Sequence, residues 1–498
     1  MHFINKYKYV LLFGFAALIY LSLMEGVNAW TDEIFSLQLF AYSWKEMFHL
    51  IITEDGHPPL FYTLLRVWMS GADFHNMAWA RLFSCFWIFA LALLGPFPVK
   101  RLWGAKVGFW FCALALFMPA SFYLGTEARM YAMALFFITA SSLYACLILR
   151  ENKKSDWVLF FIYALAGMYT HYLATLYIGM IYFVLFCALI FKYKSYNPIF
   201  IRYFVTAFFT ALLFAPWFLI FLGQANHVYD DWYPIMATTY HFFIHAIVPF
   251  ENLFGINGVY FFPMVAFCSG LMLFLFFLFL STTLFQAKNT HQKELLCQLL
   301  IAVLTFSVAL VLTFLIRPIL APRYFYFFLI PIYFIIAYML SSEKRLVPIF
   351  IVAFISLGCM SYYARARALF DPMRFYLQNQ IRTTVPKDAT LICNSIASCF
   401  NLIFYVPEYK YLFHPEKEEL YILRDLLNQD KQNRLDNLSN HSIYFAGDQK
   451  DKDKCSTMLL YDTYCNHNAP ICLMSLSVEE AYEIINTPTK AQFNHETK

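Results

Sequence analysis

The chain has 498 residues, of which 61% are hydrophobic and 20% aromatic but only 14% charged. A soluble globule of this length is far less apolar and carries about 25% charged residues, so the composition is that of a membrane protein. The net charge of +4 comes from short basic clusters between apolar runs rather than one basic face, which excludes a nucleic-acid-binding surface.

In chain order, Lys6 and Lys8 precede an apolar run from residue 9 to 24. Further runs of membrane-spanning character lie near 77–98, 107–124, 130–149, 157–170, 172–191, 200–222, 258–285, 295–316, 324–341 and 346–363. Together they predict a multi-pass α-helical membrane protein with about eleven transmembrane helices. Lys6/Lys8, Lys100/Arg101/Lys106, Arg150/Lys153/Lys154, Lys192/Lys194/Arg202, Lys288/Lys293 and Lys344/Arg345 fall at alternate ends of these runs. The positive-inside rule makes those ends cytoplasmic. The amino terminus is then expected on the cytoplasmic side and the tail outside.

The opposite ends carry different side chains: Asp32, Glu33, Glu54, Asp55 and His57, then Glu127 and Arg129, then His171 and Tyr172, then Asp230 and Asp231, then Arg317 and Arg323. Glu127, Arg129 and Arg323 lie within a turn or so of apolar span cores, where charge is costly and commonly functional. In the first outer loop, "EDGHPPLFY" (54–62) sets two carboxylates and a histidine ahead of two prolines. The stretch 58–70 is too short to cross a bilayer and reads as an interfacial helix. Pro58 and Pro59 stand at its start, where a missing N–H does no harm. They stiffen a turn expected to bring His57 toward Asp32.

Charged residues are sparse through 1–363 and dense from 364 onward. The predicted division is a transmembrane domain over 1–365 and an extracytoplasmic α/β domain over 366–498. In the latter, strands at 389–395, 441–447 and 471–477 alternate with helices at 372–384, 396–406, 416–437 and 478–486. Five of the twelve cysteines (Cys393, Cys399, Cys455, Cys465, Cys472) lie there without a metal-type CxxC pair. An extracytoplasmic location permits one or two disulfides among them.

No nucleotide loop, HExxH, GxSxG or spaced Cys/His cluster is present. What remains is the Asp32-Glu33 carboxylate pair, with several cations expected at the same membrane depth. Such a set suits group transfer from an anionic, membrane-borne donor: a carboxylate deprotonates an acceptor hydroxyl while Arg and His stabilise a departing phosphate. An extracytoplasmic site has no nucleotide pool, so an activated sugar would arrive on a lipid phosphate. Arg129 and Arg323 are the first candidates for phosphate stabilisation, because a guanidinium offers parallel donors and stays charged. His171, Tyr172 and Arg317 follow, and Glu127 either orients Arg129 or pairs with it structurally. No cofactor is required; a divalent metal is an option that no spacing demands.

The segments "WTDEIFS" (30–36), "EDGHPPLFYTLL" (54–65), "LGTEARMYAMALFF" (124–137), "THYLA" (170–174) and "APRYFYFFLIP" (321–331) together resemble the integral-membrane glycosyltransferases that use polyprenyl-phosphate sugars. That GT-C group includes protein O-mannosyltransferases and bacterial aminoarabinose transferases acting on lipid A. The resemblance spans about 1–365 and implies that Asp32 is the catalytic carboxylate, Glu33 its companion, and His57-Pro58-Pro59-Leu60 the family's HPPL element. The aminoarabinose transferases typically have Lys where His57 stands, so the elements here look more like those of uncharacterised bacterial members. The implied partners are a polyprenyl-phosphate sugar donor, a lipid, glycan or protein acceptor, and membrane lipids. A multi-pass carrier of a lipid-linked or anionic substrate, and an inactive sugar-lipid-binding protein, are the competing readings.

Overall fold

The computed structural model describes residues 2–25, 29, 31–53, 55–73, 75–193, 198–227, 290–315, 319–320, 322–342, 347–366, 381–383, 385–387, 389–393, 402–406, 408–413, 443–447, 457–459 and 471–476. The expected span at 258–285, the expected helices at 416–437 and 478–486, Glu54, Asp230, Asp231 and Arg317 lie outside the described residues. By contact the chain forms two compact units, Met1–Gly26 with Tyr42–Ala366, and Val27–Ala41 with Arg367–Lys498.

The first unit is helical. Its elements are α1 (His2–Leu23), α3 (Trp44–Thr53), α4 (Leu60–Met69), α5 (Met77–Leu93), a π turn (Gly95–Val99), α6 (Lys100–Trp103), α7 (Ala105–Phe117), α8 (Pro119–Gly125), α9 (Tyr131–Glu151), α10 (Lys154–Met168), α11 (Tyr172–Lys192), α12 (Ile199–His227), α13 (Thr290–Leu315), a 3-10 turn (Pro322–Leu329), α14 (Ile330–Ser342) and α15 (Val347–Ala366). Among the described residues, six stretches are long and apolar enough to cross a membrane: Met77–Trp103, Tyr131–Glu151, Tyr172–Lys192, Ile199–Gln224, Thr290–Thr313 and Tyr324–Ser342. The bent pair α7 and α8 makes a seventh if taken as one span. The chain is a multi-pass membrane protein.

Two of the expected spans take other forms. The run at 107–124 breaks at Met118, and its halves meet at 58°. Pro119 has no N–H and pushes the residue before it out of the α region, and Met118 is extended at φ −65 and ψ 145. The run at 157–170 is the 15-residue helix α10.

Helix α9 is apolar all round and almost wholly buried, packing against α5, α10 and α11. Its polar side chains turn back on their own helix: Thr139 Oγ1 donates to Leu135 O at 2.6 Å, and Ser141 Oγ to Phe137 O at 2.7 Å. Small residues set the closest approach elsewhere. A Cβ on Gly95 would lie 2.3 Å from Cys112 Sγ and 2.4 Å from Gly108 O, so only glycine lets the π turn meet α7 at this distance.

At one end of the unit, charge is neutralised in pairs. Arg101 donates to both oxygens of Asp156 and to Glu151. Arg150 Nε donates to Glu294 Oε1 at 2.8 Å, and Trp103 Nε1 donates to the other oxygen of Glu294 at 3.0 Å. This network ties α6, α9, α10 and α13 together where the sequence showed only its basic members.

Helix α4 buries Phe61, Tyr62, Leu65 and Met69, one face of a helical period. It joins α5 through two stacked indoles, Trp68 and Trp79, with centroids 5.0 Å apart. Trp68 Nε1 donates to Trp79 O at 2.9 Å and Trp79 Nε1 to Trp68 O at 3.1 Å.

The second unit holds α2 (Thr31–Gln38) and strands β1 (Thr390–Cys393), β2 (Lys410–Phe413), β3 (Ile443–Gly447), β4 (Thr457–Leu459) and β5 (Ile471–Leu476). The strands form one sheet in the order β2-β1-β3-β5-β4, with β1 parallel to β2 and β3, and β5 antiparallel to β3 and β4. Residues 27–41 thus associate with the tail rather than with the helices that flank them in sequence. One bond made within this unit is from Ala29 N to the Tyr405 hydroxyl, at 2.6 Å.

Candidate functional site

Ionisable groups gather in the first unit where the loop before α4, the turn between α8 and α9, and the start of α11 come together. The loop is fixed at both ends. Leu60 N donates to Tyr169 O at 3.0 Å, and Gln224 Nε2 on α12 donates to the carbonyls of Ile51, Ile52 and Asp55 at 2.9, 3.2 and 2.8 Å. Tyr172 completes this clamp: its hydroxyl donates to Gln224 Oε1 and accepts from Trp217 Nε1 at 3.1 Å. Its expected place near a substrate is therefore also a structural joint.

Within the loop, His57 Nδ1 lies 2.9 Å from Asp55 Oδ1. The Pro58-Pro59 start of α4 is preserved, with Pro59 at the N-cap and no side chain capping it, so His57 turns to Asp55 and not to the helix end. Burial pushes the Asp55 carboxyl up, but the charge and hydrogen bond of His57, the charge of Arg129 and the Tyr62 hydroxyl outweigh it, and the carboxyl sits below its ordinary value. Asp55 is thus an ionised, buried carboxylate.

The turn at 126–130 carries Glu127 and Arg129, 5% and 3% exposed. Arg129 Nη1 donates to the Tyr62 hydroxyl at 3.3 Å, and its carbonyl accepts from Ser84 Oγ at 3.2 Å. The guanidinium is therefore anchored on α4 and the residue's main chain on α5. His171 caps α11, its Nδ1 accepting from Leu173 N at 3.1 Å. Its ring lies 5.2 Å from that of His57 and 4.8 Å from that of Tyr324.

The structure therefore brings together His57, Arg129 and His171, with Glu127 beside Arg129 in the same turn and Tyr172 on the adjoining clamp. Arg323 lies in the 3-10 turn that also bears Tyr324. Asp32 and Glu33 open α2 in the second unit, where Glu33 is 1% exposed and Ser36 Oγ donates to Asp32 O at 2.8 Å. Among the described residues, no group of three or more His, Cys, Asp or Glu side chains is arranged to hold a metal ion.

Sequence reasoning missed several contributors. Tyr62 and Gln224 act through contacts set by tertiary structure, and no local pattern announces them; Asp55 was read as one of the loop's two carboxylates, without its pairing to His57. Arg81 is 2% exposed on an apolar helix and donates to Met24 O at 3.1 Å. Its burial inside a span was the available signal. Arg365, near the end of α15, lies over the Tyr123 ring at 4.4 Å.

No protein-family model matches the chain, and no curated protein matches it. Solved structures do. ArnT from Cupriavidus metallidurans in the apo state superposes with a TM-score of 0.58 at 13% identity, over 95% of this chain and 99% of that one. The same protein bound to undecaprenyl phosphate gives 0.57 at 13% identity, over 94% and 98%. An oligosaccharyltransferase from Archaeoglobus fulgidus is more distant, with a TM-score of 0.45 at 11% identity over 89% and 68%. The chain has the fold of ArnT, which is the GT-C fold of multi-pass membrane glycosyltransferases.

Proposed function

We propose that the protein is a membrane glycosyltransferase that moves a sugar from a polyprenyl-phosphate donor to an acceptor hydroxyl on a lipid, a glycan or a protein. The observation that carries this reading is the buried cluster of Arg129, His57 and His171 around an ionised Asp55, in a GT-C fold. A guanidinium and two imidazoles gathered at one place supply the charge and hydrogen-bond donors that a lipid phosphate requires. One ArnT structure is bound to undecaprenyl phosphate, a ligand of the proposed chemistry.

In the proposed mechanism Asp32 takes the proton of the acceptor hydroxyl, assisted by Glu33, and the lipid phosphate leaves in a single in-line displacement that inverts the anomeric carbon. Arg129, His57 and Arg323 stabilise the charge that grows on the leaving phosphate, with His171 and Arg317 in support. The active site faces the periplasm, where lipid-linked sugars are the activated donors. The test is transfer in proteoliposomes with a panel of radiolabelled polyprenyl-phosphate sugars and an envelope extract. Label reaching the extract with wild type but not with Asp32→Asn supports the reading. Label retained on the lipid, or carried across the bilayer, overturns it in favour of a receptor or a carrier.

A further inference from the structure

Asp55 has no role in the mechanism above, yet it is the buried partner of His57. The hydrogen bonds around the two histidines assign their protons. A carboxylate only accepts, so the 2.9 Å contact to Asp55 Oδ1 puts a proton on His57 Nδ1. His171 is set the other way: Leu173 N–H donates to its Nδ1, which leaves the proton on Nε2. His57 Nε2 makes no hydrogen bond among the described residues.

The charged and titratable groups around His57 come from each neighbouring element. Asp55 stands on its own loop, Arg129 on the turn before α9, His171 at the start of α11, and Tyr62 on α4 between Arg129 and Asp55. Asp55 and Arg129 cancel, so a protonated His57 gives this trio one net positive charge. Side-chain exposure of Asp55 and His57 is 9% and 12%, which keeps solvent screening low.

We propose that Asp55 is a positioning residue that turns His57 into an anion seat, holding the ring by Nδ1 so that Nε2–H is the donor offered to a phosphate monoester. The inference rests on the reading of His57 as a phosphate contact and deepens it by saying what orients the ring. In the transfer step the anomeric C–O bond to phosphate breaks and the leaving oxygen keeps the electron pair. The acceptor oxygen forms the new C–O bond, and its proton passes to the Asp32 carboxylate. A phosphodiester with one negative charge thereby becomes a monoester with two. His57, its Nδ1–H held by Asp55, presents Nε2 to that monoester, and a proton shared between Nε2 and a phosphate oxygen offsets the second charge.

The first measurement is nitrogen-15 NMR of selectively histidine-labelled protein in lipid bilayers, with His57 assigned by its loss in His57→Gln. The expected wild-type spectrum has His57 protonated at Nδ1, and at both nitrogens once undecaprenyl phosphate is added at pH 7. In Asp55→Asn the second protonation disappears, while Asp55→Glu retains it in part. A bare Nδ1 in wild type, or the same spectrum in Asp55→Asn, overturns the proposal.

The second measurement is binding of undecaprenyl phosphate against undecaprenol. Asp55→Asn should weaken binding of the phosphate about tenfold or more, the scale of one hydrogen bond to a charged group, with undecaprenol unaffected. Adding Asp55→Asn to His57→Gln should then cost nothing further, because the two residues act as a unit. If wild type prefers the phosphate and Asp55→Asn prefers it equally, the seat is wrong and the transferase reading stands. If wild type does not distinguish phosphate from alcohol, the seat and the reading beneath it both fall.

Discussion

Arg101 meets Asp156 through two parallel bonds, Nη1 to Oδ1 at 2.9 Å and Nη2 to Oδ2 at 3.0 Å, across 55 residues of sequence. Asp156 is fully buried and Arg101 a third exposed, so the pair joins a dry carboxylate to a partly wet cation. Asp156→Ala should destabilise the protein by about 1.5–3 kcal/mol, the range for a hydrogen bond to a charged group. Thermal unfolding in detergent measures it, and an unchanged midpoint would mean that water replaces the pair at no cost.

The close approach at the π turn makes a sharper prediction. Gly95→Ala places a methyl 2.4 Å from the Gly108 carbonyl oxygen, which is backbone and cannot swing away. Overpacking of this kind costs roughly 1–3 kcal/mol or more. Gly14→Ala, which meets nothing within 4 Å, is the matched control inside a helix and should leave the unfolding midpoint in place or raise it.

Arg129 is the guanidinium whose charge helps to hold the Asp55 carboxyl below its ordinary value. If it stabilises the departing phosphate, Arg129→Gln should lower turnover by an amount equivalent to about 2.7–4 kcal/mol in the barrier, as for loss of one oxyanion donor. Lysine should rescue little, since a point charge does not reproduce the guanidinium fork. A folded Arg129→Gln protein with near-normal turnover removes Arg129 from the mechanism.

Gln224 holds three carbonyls of the loop that carries Asp55 and His57. Gln224→Leu should release that loop and raise the KM for donor more than it lowers kcat, because the residue orders a binding element and touches no reacting atom. Equal losses in both parameters would instead place Gln224 in contact with the transition state.

The Asp55 carboxyl sits below its ordinary value of 3.8 in the folded protein. Its contribution to stability is therefore fully present above the unfolded value and lost as pH falls through the lower folded value. The difference in unfolding midpoint between wild type and Asp55→Asn should stay constant from about pH 7 to pH 5 and shrink below about pH 4. A difference that grows with acidity would show that Asp55 is protonated in the fold.

Much of the fold was legible because a bilayer imposes simple patterns. Long apolar runs became helices, the double proline became the start of α4, and the expected strands at 389–395, 441–447 and 471–477 contain β1, β3 and β5. The short strands β2 and β4 were missed, since three or four residues are too few to show alternation. The break at Met118 was missed because hydropathy registers how apolar a run is and not that Pro119 interrupts it. In the candidate site, Glu127, Arg129 and His171 stood out by charge at span ends. Asp55 was visible only as one carboxylate among several, because its distinction lies in burial and in the angle at which it meets His57. The acidic members of the Arg101 and Arg150 network were invisible for a related reason: Asp156 and Glu294 pair with arginines from other helices, so sequence distance hides them.

The stacked indoles of Trp68 and Trp79, nearly parallel at 20°, lie close enough for their electronic transitions to mix. A pair held so rigidly, each N–H pinned to the other residue's carbonyl, should give a paired positive and negative band in ultraviolet circular dichroism that neither ring gives alone. The hairpin of α4 and α5 thus contains its own optical label. Because α4 begins at the loop bearing His57, that signal would report in real time whether the site's scaffold shifts as lipid enters, with no dye attached.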